Sequence, residues 1–240
     1  MRLLATTRRV IAQLAHDHRT VALILIVPMV LVGLFAWLFS SGEAFQTIGP
    51  IILGLFPFVL MFIVTSVATL RERTSGTLER YMTTPASRTS LIFGYALAFG
   101  IFAIIQALLT VFFAVWVCGL DIDGPLWQLI LIAAVNAICG TAMGLFASAF
   151  ARTEFQAVQM MPVFVLPQVV VGGVFMPIDA MDEPLQWFAH CLPLTYAIEA
   201  VQAVAGNESG WAVGRPVLIL AAFAVGFLVV SSLTMPRKTA

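Results

Sequence analysis

Residue types able to do chemistry are scarce in this 240-residue chain, which has three histidines, three cysteines and a single lysine, Lys238. Covalent catalysis needs a nucleophile with a base in reach, and a metal centre needs several converging ligands. Cys118, Cys139 and Cys191 show neither CxxC spacing nor a His/Cys cluster, so they read as apolar fillers. His16 and His18 flank Asp17 and read as solvated or interfacial side chains, while His190 stands alone. No catalytic constellation emerges. A P-loop is excluded too, because G-x-x-x-x-G-K-[ST] requires a lysine and Lys238 sits in a tail behind Arg237. Any ATP-driven work is expected of another polypeptide. What the chain does concentrate is charge: RERTSGTLERYMTTPASR, Arg71 to Arg88, carries six charges in eighteen residues.

The elements around that stretch are apolar. The chain is 61% hydrophobic and 10% charged, with a mean hydropathy of +1.02, against roughly 25% charged in soluble domains. That composition predicts an integral membrane protein. The 12 basic and 12 acidic residues balance, so neither nucleic acid nor an acidic substrate is expected as a partner. Six runs are long enough to cross a bilayer as helices: about Thr20 to Phe39, Ile48 to Leu70, Leu91 to Leu120, Leu126 to Ala151, Phe155 to Phe175 and Trp211 to Leu233. Eleven of the twelve basic residues then fall on one side, with Arg215 alone opposite. The positive-inside rule puts both termini and the charged stretch in the cytoplasm. The first run is too long for a cleaved signal, and five more follow it. Before it, residues 1–18 place Leu3, Leu4, Thr7, Val10, Ile11, Leu14 and Ala15 on one helical face and Arg2, Arg9, Gln13 and His16 on the other, which predicts an interfacial helix.

Ion-coupled carriers keep ionisable groups at mid-membrane, whereas nearly every charge here maps to a loop or a span end. In the fourth run Asn136, Gly140, Gly144 and Ser148 follow at i, i+4 steps and make a narrow face of small and polar residues. Such a face suits close helix packing, a subunit contact or a substrate-facing wall. Pro50 and Pro57 in the second run, and Pro162 and Pro167 in the fifth, predict bent helices that either line a pathway or are filled by neighbours. Between the last two runs, residues 176–210 contain apolar pieces too short to span, punctuated by Pro177, Pro184 and Pro193. Two short helices dipping into the outer leaflet are expected there, with Thr195, Glu199 and Gln202 as a polar stripe turned from lipid.

Six charges at about 2.5 kcal/mol each would cost about 15 kcal/mol in hydrocarbon, so residues 71–88 must lie outside it. After Gly76 the run TLERYM puts Leu78, Tyr81 and Met82 on one helical face and Glu79 and Arg80 on another, and Pro85 stops the helix. Ser87 can cap the next one.

The segment RERTSGTLERYMTTPASRTSLIFGY resembles the cytoplasmic coupling region of ABC-2 type permeases, the membrane subunits of ATP-binding-cassette exporters similar to the daunorubicin-resistance permease. Arg71, Glu72, Arg73, Gly76, Thr77, Leu78, Glu79, Pro85 and Ser87 carry the match. GGVFMPIDAMDEPLQWFAHCLPLTYAIEAV is similar to that family's outer region, where N-P-L-T-Y is usual; Leu192 replaces the Asn, and Pro193, Leu194, Thr195 and Tyr196 agree. The resemblance implies one all-α transmembrane domain over 1–240, with six transmembrane helices, an N-terminal interfacial helix over 1–18, a cytoplasmic coupling helix within 71–88 and an outer re-entrant helical pair over 176–210. It implies a dimer with a second copy or a homologous permease in a bacterial plasma membrane. Two ABC ATPase subunits would use ATP and Mg, and this chain would bind no cofactor. Arg71, Glu72, Arg73, Gly76, Thr77, Leu78, Glu79, Arg80, Tyr81 and Met82 would dock the ATPase. Pro193, Thr195, Tyr196, Glu199 and Gln202 would belong to the pathway of a hydrophobic or amphipathic substrate, drug or lipid. The rival expectations are a stand-alone secondary carrier and a non-transporting assembly subunit.

Overall fold

The computed structural model of the protein describes residues 2–40, 42–74 and 88–234. Among the described residues there are nine α-helices, one 3-10 turn and no strand: α1 Arg2–His16, α2 His18–Leu38, α3 Glu43–Thr74, α4 Arg88–Trp116, α5 Leu126–Ser148, α6 Glu154–Val171, a turn at Ile178–Ala180, α7 Glu183–Ala189, α8 Pro193–Ala205 and α9 Trp211–Thr234. Six of these, α2 to α6 and α9, are long and apolar enough to cross a membrane. In hydrocarbon every backbone N–H and C=O must be paired within the segment, and runs this apolar have no other way to do that than a helix.

Several ends differ from the sequence expectation in an informative way. The 32 residues of α3 span about 48 Å at 1.5 Å per residue, well beyond a bilayer core. Arg71, Glu72 and Arg73 therefore form the last turn of a membrane helix instead of opening a loop. The α4 helix stops at Trp116, short of Leu120, and Gly119 turns the chain with φ +69°. All four anticipated prolines sit inside continuous helices, joined by Pro28 in α2 and Pro216 in α9. Asp17, between α1 and α2, accepts from the Thr20 amide at 3.2 Å and the Thr20 hydroxyl at 2.6 Å. It caps α2, and those bonds hold its carboxyl below the usual carboxylate range.

The α5 helix is the hub, packed against α3, α4, α8 and α9, while α1 lies against α4 and α6 against α3. Successive spans run in alternate directions, giving the bundle two chemically distinct ends. One carries α1 and the last turn of α3. At the other, all five tryptophans, Trp37, Trp116, Trp127, Trp187 and Trp211, stand exposed near helix ends, the position of an interfacial aromatic belt. Gln46 of α3 ties that end together by donating to the Gly119 carbonyl at 3.0 Å and accepting from the Asp121 amide at 2.8 Å.

Candidate functional site

Three consecutive helical residues point about 100° apart, so one turn can reach three neighbours, and the last turn of α3 does. Arg71 donates from Nε and Nη2 to the two carboxylate oxygens of Glu154, at 2.9 and 3.0 Å. Glu154 opens α6 behind its N-cap Thr153, where a carboxylate also suits the helix dipole. Glu72 accepts from Arg9 Nη2 of α1 at 3.1 Å, and the same nitrogen donates to the Tyr95 hydroxyl of α4 at 3.1 Å. Arg73, only 7% exposed, donates to the carbonyl of Ser148, the last residue of α5. A cation there satisfies a carbonyl that the helix leaves without an internal partner and complements its dipole. One turn of α3 thus engages α1, α5 and α6, and α4 through Arg9.

The Asn136–Ser148 face of α5 meets α3 within the chain. Asn136 donates to the Gly54 carbonyl, beside the proline at 57 that has no N–H for the carbonyl of Leu53. A methyl group at Gly140 or Gly144 would collide with the Phe58 or Phe62 carbonyl oxygen. The two backbones are in direct contact along two turns, which only glycine permits. The register 54/136, 58/140, 62/144 increases along both chains, so α3 and α5 are parallel.

At the tryptophan end, Pro193, Leu194, Thr195 and Tyr196 stitch α7 to α8. Pro193 takes the first helical position, where a missing N–H does no harm. The Leu194 amide donates to Oε1 of the buried Gln168 of α6 at 3.2 Å. The Thr195 hydroxyl donates to the Ala189 carbonyl at 2.7 Å and the Tyr196 hydroxyl to the His190 carbonyl at 2.8 Å. These are end carbonyls of α7, so the motif's polar atoms satisfy backbone groups that two abutting short helices leave open. Thr195, Glu199 and Gln202 line a cavity of about 540 Å³ together with Asp179, His190, Glu208 and Arg215; Glu199 and Gln202 are exposed within it and Thr195 is buried.

Of the residues expected to dock a partner, Arg71, Glu72 and Arg73 are engaged inside the chain, and Gly76, Thr77, Leu78, Glu79, Arg80, Tyr81 and Met82 lie outside the described residues. The helix expected over residues 1–18 forms as α1, Arg2–His16, but with a rotated face. Thr6, Thr7, Val10 and Leu14 are buried, Leu4 is 67% exposed, and Arg9, expected on the polar face, is half-buried against Glu72. Sequence reasoning missed Arg9, Tyr95, Glu154 and Gln168 as partners, and only Glu154 carried a local signal, the T-E-x-Q start of a helix.

A bundle of six helices able to cross a bilayer, with the charged side chains of the described spans near their ends, defines a multi-pass membrane protein. The ABC-2 type transporter family matches residues 1–205, and the chain belongs to it. Among curated relatives, it is 28% identical over 183 residues to "Probable multidrug ABC transporter permease YbhS" of Escherichia coli (strain K12), covering 75% of this chain and 48% of that one. It is 26% identical over 151 residues to "Linearmycin resistance permease protein LnrN" of Bacillus subtilis (strain 168), covering 62% and 39%. To "ABC transporter G family member 20" of Dictyostelium discoideum it is 25% identical over 164 residues, covering 68% and 22%. The chain spans about half or less of the length of these relatives.

Proposed function

We propose that the protein is the membrane subunit of an ATP-binding-cassette exporter for a hydrophobic or amphipathic compound, driven by a separate ABC ATPase that uses ATP and Mg. The observation carrying this reading is the last turn of α3. It directly precedes the segment over residues 75–87, where the ATPase would dock, and its Arg71, Glu72 and Arg73 are bonded to α6, α1 and α5. Force applied to that segment would pass into several helices at once. The α3–α5 backbone contact would carry it as a rigid pair toward the opposite end, where α8 and its cavity with Glu199 and Gln202 lie against α3 and α5. Permease names among the relatives, one a probable multidrug ABC transporter permease and one a linearmycin resistance permease protein, support this reading. Two copies, or this chain with a homologous permease, would complete the pathway, with both termini cytoplasmic.

The test is co-purification with the ATPase subunit and reconstitution into vesicles. Deleting Gly76–Met82 should abolish ATPase binding. Arg73→Gln should leave binding intact while uncoupling ATP hydrolysis from substrate export. Transport that survives ATP depletion would establish a secondary carrier instead, and unchanged efflux without the protein, with loss of a partner complex, would establish an assembly subunit.

A further inference from the structure

At the arginine end, α1, α2, α3 and α4 leave a groove of about 320 Å³, within the size range of ligand sites. Its wall is apolar, with Leu23, Val64, Val67 and Phe99, and its rim carries Asp17 and Arg71. Asp17 accepts from the Thr20 amide and hydroxyl and from the Arg19 backbone, and a carboxylate with about four lone-pair sites has one more to offer. Arg71 commits Nε and Nη2 to Glu154, and among the described residues nothing accepts from its Nη1. The groove therefore presents Asp17 and Arg71, near enough to feel each other's charge, above an apolar slot, with a second acid, Glu72, in its lining that is paired with Arg9. From Leu23 an exposed apolar stripe continues along α2 through Ile26, Val30 and Leu34, at helical spacing and over about 17 Å, roughly one leaflet's share of the hydrocarbon.

We infer that this groove holds a zwitterionic phospholipid with a primary ammonium headgroup, taken from the leaflet at the arginine end, its phosphate on Arg71 and its ammonium on Asp17. The acyl chain lies in the slot and runs up the α2 stripe. An anionic lipid would satisfy Arg71 and meet the Asp17 carboxylate as a like charge, so the pair selects between headgroups as well as binding them. The site needs only a bilayer beside it and holds whether or not the chain exports anything.

Wild type, Asp17→Asn and Val64→Trp are reconstituted into nanodiscs of equal phosphatidylethanolamine and phosphatidylglycerol, released into mild detergent and weighed by native mass spectrometry. Wild type should retain phosphatidylethanolamine about fivefold over phosphatidylglycerol, the factor one partly exposed ion pair supplies. Asp17→Asn keeps a good N-cap and should retain both lipids equally, and Val64→Trp should retain neither. Equal retention of both lipids by wild type, or an unchanged preference in Asp17→Asn, overturns the proposal, and this comparison decides even if Val64→Trp fails to fold. If Val64→Trp instead splits a dimer with its lipid count unchanged, the groove belongs to a second copy and the proposal fails.

Discussion

The two ends of the bundle are held by different chemistry. At the arginine end, charged side chains reach from helix to helix: Arg71 to Glu154, Arg9 to Glu72, Arg73 to the end of α5. At the tryptophan end, neutral side chains close backbone groups, as Gln168, Thr195, Tyr196 and Gln46 do. The exposed Arg71–Glu154 pair can lose and remake its contacts at little cost, whereas a buried group left open, Arg73 or a main-chain carbonyl, is expensive. Under the proposed function the exposed pair suits an end that would be pushed, and the buried bonds suit parts that would keep their shape while being carried.

What links the ends is the α3–α5 seam, and breaking it should have the largest effect. In Gly140→Val, side-chain atoms would be driven into the Phe58 carbonyl. Neither backbone can yield without moving a whole helix, so a loss of about 3 kcal/mol or more is expected. Thermal unfolding in detergent checks it, and an unchanged midpoint would mean the helices are not in backbone contact.

Next comes Arg73. Hydrogen bonds to charged groups contribute about 1.5–3 kcal/mol, and this one is buried, so Arg73→Gln should destabilise by about 2 kcal/mol. Hydrogen exchange should rise at the C-terminus of α5 and leave α7 and α8 unaffected. Faster exchange at both ends would erase the distinction between them.

Thr195→Val tests the opposite end. It removes one neutral bond to α7, worth about 1 kcal/mol, and exchange should rise in α7 alone. Burial pushes the Tyr196 phenol above its ordinary value of 10.0. Its folded state favours the protonated form, so the bond to His190 is fully present below pH 10 and is lost as pH rises through the raised value. Alkaline titration should therefore loosen α7 in wild type and leave Tyr196→Phe unresponsive over the same range.

The two ends were also unequally legible in the sequence. Six spans, the short helices after α6 and the polar stripe of Thr195, Glu199 and Gln202 follow from run length, proline placement and helical spacing, all local properties. The narrow face of α5 was legible as a packing surface, but not its partner, because Gly140 and Gly144 say only that something comes close. The arginine end was misread most. Charge excludes residues 71–73 from hydrocarbon but leaves open whether the helix continues through them, and α3 does. Arg9 was assigned to the polar face of α1 because a face is chosen by apolar count, whereas burial there is decided by Glu72 and Tyr95, residues 63 and 86 positions away.

The smallest effect on stability should come from Arg71 and Glu154. Their side chains are 59% and 50% exposed, and exposed pairs contribute between about 0 and 1 kcal/mol, less at high salt. Arg71→Gln should therefore move the unfolding midpoint little, and the small shift should fade as ionic strength rises. Under the proposed function its effect on coupling should be larger than its effect on stability, because this pair is a side-chain tie from the last turn of α3 to the start of α6. A tie need not be strong at rest to transmit a displacement; it needs two atoms in contact when the push arrives. Glu154→Gln should give the same partial uncoupling of hydrolysis from export, and Arg71→Glu with Glu154→Arg should restore it. If the single variants lose stability and coupling in proportion, the arginine end is a fastening like the other, and the contrast between the two ends disappears.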